Sequence, residues 1–120
     1  MTAEDNVDKI PQTVEDFIGQ GWSFHASKKD DIAAEESFRR AISLDPKSID
    51  AHYGLGLILK AQDRKQESID SFKRVIGLLE TEQVEEPARG EMMRRLSMAH
   101  INQMNSGDWG LEGEIWQHSK

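Results

Sequence analysis

A block of sequence occurs twice in this chain, and that repetition constrains the fold more than any other feature. Ser37-Phe38-Arg39-Arg40-Ala41-Ile42 reappears as Ser71-Phe72-Lys73-Arg74-Val75-Ile76, with Phe38 and Phe72 standing 34 positions apart. Upstream, Gly19-Gln20-Gly21 matches Gly54-Leu55-Gly56, and Phe24 matches Leu59, each pair 35 apart. The first copy therefore holds one extra residue between Phe24 and Phe38. The polar stretch at 27–31 is its expected place, because surface turns accept insertions. A unit of this length cannot bury its apolar face alone and has to stack against its neighbour.

Each copy reads as two helices. In the second, His52, Leu55, Gly56 and Leu59 fall on one face of a helix, and Ile69, Phe72, Val75, Ile76 and Leu79 make a second stripe of the same period. In the first, Phe17, Gly21 and Phe24 make one stripe and Ala34, Phe38, Ala41 and Ile42 the other. Thr13 with Asp16 reads as the opening cap of the first helix, and Asp63 with Gln66 as a capping box for the fourth. Asp45-Pro46 closes the second helix, since proline disfavours helical geometry in the residue before it. Glycine inside a helix costs about 0.5–1 kcal/mol relative to alanine. Gly21 and Gly56 at equivalent mid-helix places therefore predict close helix approach, with Phe38 and Phe72 packed against them.

This pattern resembles the tetratricopeptide repeat, a helix-turn-helix unit of about 34 residues. Leu55, Gly56, Leu59 and Phe72 match its signature in the second copy, and Gly21, Phe24, Ala34, Phe38, Ala41 and Pro46 in the first. The departures are Ser68 and Val75 where small alanines are usual, and Gln20 in a leucine position. The resemblance covers roughly residues 13–80. It implies an all-α fold of antiparallel helical hairpins in a right-handed superhelical array. The expected organisation is a disordered acidic N-terminus over 1–10 and a repeat domain over 11–106, followed by a Trp-containing tail over 107–120. Within the domain, repeat one spans 13–46, repeat two 48–80, and a capping helix or degenerate third repeat 86–105. Pro87 suits the first turn of that last helix, and Met92, Leu96, Ala99 and Met104 are its apolar candidates.

Composition narrows the function. The net charge of −7 and pI near 5.0 disfavour phosphate backbones. The basic pairs Lys28-Lys29, Arg39-Arg40, Lys73-Arg74 and Arg94-Arg95 are scattered and mostly flanked by acids, which reads as solvated helix surface. Glu36 with Arg40 and Asp70 with Arg74 stand in the favourable four-residue order for surface ion pairs. No apolar run approaches the roughly 20 residues that span a bilayer. With a mean hydropathy of −0.67, and an N-terminus lacking a signal pattern, the expected location is cytoplasmic. There are no cysteines, which removes disulfides and thiolate chemistry. The histidines, His25, His52, His100 and His118, show no metal-binding spacing. His52 lies on a core stripe and reads as a packed histidine. No phosphate loop or nucleophile elbow is present. The expectation is no catalytic residue, no cofactor, no metal, no nucleic acid and no membrane insertion.

The resemblance places a concave groove along the first helices of the repeats. Its residues here are Ile18, Trp22 and His25 in the first copy and Asp50, Tyr53, Leu57 and Lys60 in the second. Trp22, Tyr53 and Leu57 would form an aromatic and apolar strip for a protein or peptide partner. The competing reading buries Trp22 and Leu57 beneath a terminal segment. The family's chaperone-binding members carry a clamp for a terminal carboxylate; apolar residues or glycine stand at those places here, so no such clamp is expected. The alternative function is self-association into a homo-dimer through Met92, Met104, Trp109 and Trp116. For Trp109 and Trp116 the favoured reading is core, ahead of an exposed partner site.

Overall fold

The computed structural model describes residue 10 and residues 12–106. Residues 1–9, 11 and 107–120 lie outside that description, and with them the expectations for the acidic N-terminus and for Trp109 and Trp116. The described residues form five helices and no strand: α1 (Val14–Ser27), α2 (Asp31–Leu44), α3 (Ile49–Ala61), α4 (Lys65–Thr81) and α5 (Pro87–Ser106). Consecutive helices pack on one another, and α3 also touches α1. This is the all-α hairpin architecture the repeat implies.

Side chains near the chain reversals fix the helix starts. The Thr13 hydroxyl accepts from the Asp16 amide at 3.1 Å, while the Asp16 carboxylate accepts from the Thr13 amide at 3.2 Å. Asp30 caps α2 through the Ala33 amide, and Ser48 caps α3 through the Ala51 amide. Each satisfies a donor that the first helical turn leaves unpaired. The start of α4 departs from expectation. Arg64, not Asp63, stands at its N-cap, with no side-chain cap bond, and Gln66 donates to Asp70 instead. Asp63 is one residue earlier, at φ 62°, because α3 ends there in a left-handed turn. The Arg64 amide donates to the Leu59 carbonyl and the Asp63 amide to the Lys60 carbonyl, both at 3.0 Å, which is a Schellman closure.

The extra residue of the first copy is taken up at the corresponding turn. Lys29 has φ 52° and matches Asp63, 34 positions on. The Asp30 amide closes on Phe24 at 2.9 Å, spanning six residues where Arg64 to Leu59 spans five. The insertion therefore lies between Phe24 and Lys29, in the last turn of α1 and its exit, rather than wholly in the connecting loop.

Glycine makes room for the core. A Cβ on Gly21 would stand 2.6 Å from Phe38 Cε2, and one on Gly56 3.0 Å from Phe72. These are the two approaches the sequence predicts within each hairpin. A third crosses between hairpins: a Cβ on Gly54 would collide with the opposite edge of the Phe38 ring. Phe38 is thus held between α1 and α3 with no exposure. Around it Ala34, Leu55, Ile58 and Leu59 form a first cluster, with Ile18, Trp22, Phe24 and Ile42 packed against them. A second cluster joins Ile69, Phe72 and Met104, flanked by Tyr53, Leu57 and Ile101.

The departures from the repeat pattern are internally paired. The Ser68 hydroxyl donates to the Gly56 carbonyl at 2.7 Å, and the Ser37 hydroxyl to Gln20 at 3.1 Å. Buried polar groups with partners of this kind escape most of the desolvation penalty. Glu35 ties α2 to the turn before α4, accepting from Arg64 at 2.6 Å, Arg39 at 2.8 Å and Gln62 at 3.0 Å. Burial opposes its ionisation, but those bonds outweigh it and hold the carboxyl below its usual range. Of the expected surface pairs, Glu36–Arg40 forms at 3.0 Å. Asp70 accepts from Gln66 rather than pairing with Arg74.

The face that α5 turns inward also differs from expectation. Gly90, Met93, Ser97, Ala99 and Met104 are buried, whereas Met92 is 53% exposed and Leu96 half-buried. Of the four apolar candidates Ala99 and Met104 are buried and Met92 and Leu96 are not, and small and polar residues make up much of the stripe against α4.

Candidate functional site

The seven residues expected along the groove all lie on α1 and α3 or their ends, and all are half-buried. The alternation of the helix brings them to one side, but their neighbours differ. On α1, Ile18 and Trp22 pack against the first cluster, with the Trp22 ring edge-on to Phe38 at 5.1 Å between centroids. His25 has its Nδ1 2.7 Å from the Asp31 carboxylate, which draws the end of α1 onto α2.

On α3 the residues meet α5. Arg89 Nη2 donates to Asp50 Oδ1 at 2.7 Å. Tyr53 is edge-on to Phe72 at 5.6 Å and to His100 at 6.1 Å. Leu57 packs beside Met104 and Ile101 in the second cluster. Lys60 Nζ lies 3.1 Å from His100 Nδ1. The pairs Asp50–Arg89 and Lys60–His100 run in the same order along both helices, so α3 and α5 are parallel. The α3 part of the strip is thereby backed by α5, while the α1 part is backed by α3.

His100 is the residue the sequence reading missed. Its ring stacks on Phe72 with centroids 4.8 Å apart and planes 8° from parallel. Burial, together with the Lys60 ammonium, lowers its pKa to about 4. A neutral ring fits the surroundings: Nδ1 accepts from Lys60, leaving Nε2–H to face the Tyr53 hydroxyl at 3.5 Å. Burial in turn raises the Tyr53 pKa and lowers that of Lys60. The available signal was the spacing of Met93, Ser97, His100 and Met104, one helical face with two polar members.

His52 sits apart from this group. Its Nε2 donates to the Pro46 carbonyl at 2.8 Å, and burial lowers its pKa. It fastens the loop between the hairpins. Of the residues expected to drive self-association, Met104 is 7% exposed in the second cluster and Met92 stands at the surface. Among the described residues, no group of three or more histidines or acids is placed to hold a metal. No described helix is long and apolar enough to cross a membrane.

On the far side of α1, the first repeat opens a hollow of about 350 Å³ bordered by Ile10, Phe17, Gln20, Phe24 and Ser37. In the second repeat the matching face, Leu55 and Leu59, is buried in the Phe38 cluster. The hollow corresponds to the face that the second hairpin stacks on the first, and among the described residues no helix covers it.

Two family models match the chain. One, described as TPR repeat, covers residues 27–63 and the other, described as tetratricopeptide repeat, covers 49–78. No curated protein and no solved structure matches it significantly.

Proposed function

The chain belongs to the tetratricopeptide-repeat family over residues 27–78, and from that premise we propose that it binds a peptide or protein segment in the groove along α1 and α3. Repeats of this family generally mediate protein–protein interaction and serve as non-enzymatic scaffolds. The observation that carries the groove reading is the half-burial of Ile18, Trp22, Tyr53 and Leu57, large side chains on the touching helices α1 and α3. Such residues offer a partner anchoring area that is already held in place, so little ordering cost accompanies contact. His25, Asp50 and Lys60 supply polar groups at the rim. We place this activity in the cytoplasm.

The test is capture of partners from a cell extract by immobilised protein. Ile18→Glu and Leu57→Lys should abolish capture with the far-UV helical signal kept. The control Ile32→Glu, at a residue 76% exposed on α2, should leave capture intact. Capture that survives the groove changes and is lost with Ile32→Glu would move the binding surface to the outer helices.

The exposure of Met92 supports a second reading, self-association through α5. Light scattering decides it: a monomer mass at every concentration removes self-association, and a dimer broken by Met92→Glu establishes it.

A further inference from the structure

We propose that two copies of this chain pair in antiparallel fashion through the outer face of α2. Four side chains on that face, Ile32, Glu36, Arg40 and Leu44, stand four residues apart. Four residues advance a little over one helical turn, so the four form one ridge, the kind through which helices commonly interlock. Ile32 is 76% exposed and Leu44 55%. Between them Glu36 and Arg40 are exposed as well, and pair along the helix at 3.0 Å. Beside the ridge lies a shallow hollow of about 360 Å³, bordered in part by Ile32, Glu36 and Arg40.

The order of side chains along the ridge points to a second copy. The aliphatic ends and the charged middle are both centred on residue 38. About a two-fold axis at that level, Ile32 of one copy faces Leu44 of the other, and Glu36 faces Arg40. Each contact then occurs twice, as an isologous interface requires. Parallel pairing would instead set Glu36 against Glu36 and Arg40 against Arg40. The exposed ion pairs fix register and direction more than affinity. The aliphatic ends supply the apolar burial, with the hollow as a seat for Leu44 of the other copy next to Ile32. The second repeat shows that the fold itself does not call for this arrangement. Its matching residues on α4 are Gln66, Asp70, Arg74 and Leu78. Gln66 is exposed and donates to Asp70, while Leu78 is buried. Of the two helices, α2 alone carries exposed aliphatic side chains at both ends of the ridge. Isoleucine there gains no packing inside the chain and has a lower helix propensity than glutamine. The contact is small, below the roughly 1,200 Å² of total buried surface that marks stable pairs, so the dimer is weak and forms reversibly at high protein concentration. Ile18, Trp22, Tyr53 and Leu57 lie on α1 and α3. The pairing therefore does not depend on the proposed partner binding, and a dimer carries two grooves.

The full chain, followed by sedimentation equilibrium up to sub-millimolar concentration, should rise from monomer towards dimer mass. Ile32→Glu should hold it at monomer mass, and Met92→Glu should leave the rise unchanged. Charge reversal supplies the decisive readings. In Glu36→Arg every facing pair joins two arginines, and in Arg40→Glu two glutamates. Each variant alone should stay monomeric with its far-UV helical signal kept. Mixed in equal amounts, the two regain opposite charges at both contacts and should form the dimer. A wild-type mass that stays monomeric at every concentration would overturn the proposal. So would reversal variants that dimerise as the wild type does, or a mixture that remains monomeric.

Discussion

Adding one methyl group at two matching positions should change stability in opposite directions. Gly19 and Gly54 occupy the same place in the two copies, each in the middle of its helix. A Cβ at Gly19 meets nothing within 4 Å, so Gly19→Ala should stabilise by about 0.5–1 kcal/mol through helix propensity alone. A Cβ at Gly54 would fall inside contact distance of Phe38, with Cδ1 at 2.8 Å. The ring has nowhere to retreat, because Gly21 already lies against its other edge. Overpacking of a rigid site costs about 1–3 kcal/mol. Since the propensity gain is common to both changes, their difference isolates the packing term and should also be about 1–3 kcal/mol. Urea unfolding followed by far-UV signal, with equal slopes for all three proteins, measures it directly. By heat, each kcal/mol corresponds to roughly 4–8 °C in a domain of this size. Two alanine variants that agree within about 0.5 kcal/mol would refute the claim that Phe38 is clamped between hairpins.

Three further outcomes follow from the same contacts. The Ser97 hydroxyl is buried with no hydrogen-bond partner among the described residues, so Ser97→Ala should raise stability by about 1 kcal/mol, read as a higher urea midpoint. His100 has a folded pKa of about 4 against the ordinary 6.5. The fold favours its neutral form, so its contribution is complete above pH 6.5 and is lost as pH falls towards 4. Allowing for solvent screening of a half-exposed ring, the loss is roughly 1–2 kcal/mol. His100→Phe should keep the stack on Phe72 and flatten the urea midpoint against pH across that window. Asp63 holds a left-handed backbone at φ 62°, a conformation glycine adopts without penalty; Asp63→Gly should therefore stabilise by up to about 1 kcal/mol, measured as a thermal midpoint.

The repeat and its packing were legible because they rest on residues that recur. Phe38 and Phe72 mark the second helix of each hairpin, and Gly21 and Gly56 the approach within it. What the sequence hid was whatever the repetition did not duplicate. Gly54 has a matching glycine at position 19, but among the described residues Gly54 alone of the two meets the Phe ring of another hairpin. The capping of α4 misled because Asp63 suits both a cap and a left-handed turn, and the Schellman closure of α3 took it for the second. The orientation of α5 was illegible for a different reason. Its α4 face mixes Met93 and Met104 with Gly90, Ser97 and His100, while Met92 and Leu96 lie elsewhere on the helix. Periodicity weighs hydrophobicity, and here steric size and ring stacking set the face. The groove residues were placed by family pattern on one side of α1 and α3, but nothing in that pattern foretold that Asp50, Tyr53 and Lys60 would each reach a side chain of α5.

The position of Phe38 sets where this protein can be divided. Its ring is anchored on α2 but fills space that Gly21 opens on one side and Gly54 on the other. A cut at Pro46, where the two copies meet in the sequence, would strip half the ring's surroundings from the first hairpin and leave an unfilled notch in the second. An exchangeable module therefore has to carry α2 together with Gly21 of α1 and Gly54 of α3. The two copies should melt as one cooperative unit, since the contact joining them is as tight as those inside each. Anyone lengthening the array by duplication would do better to splice within α1 and α3 than at the proline.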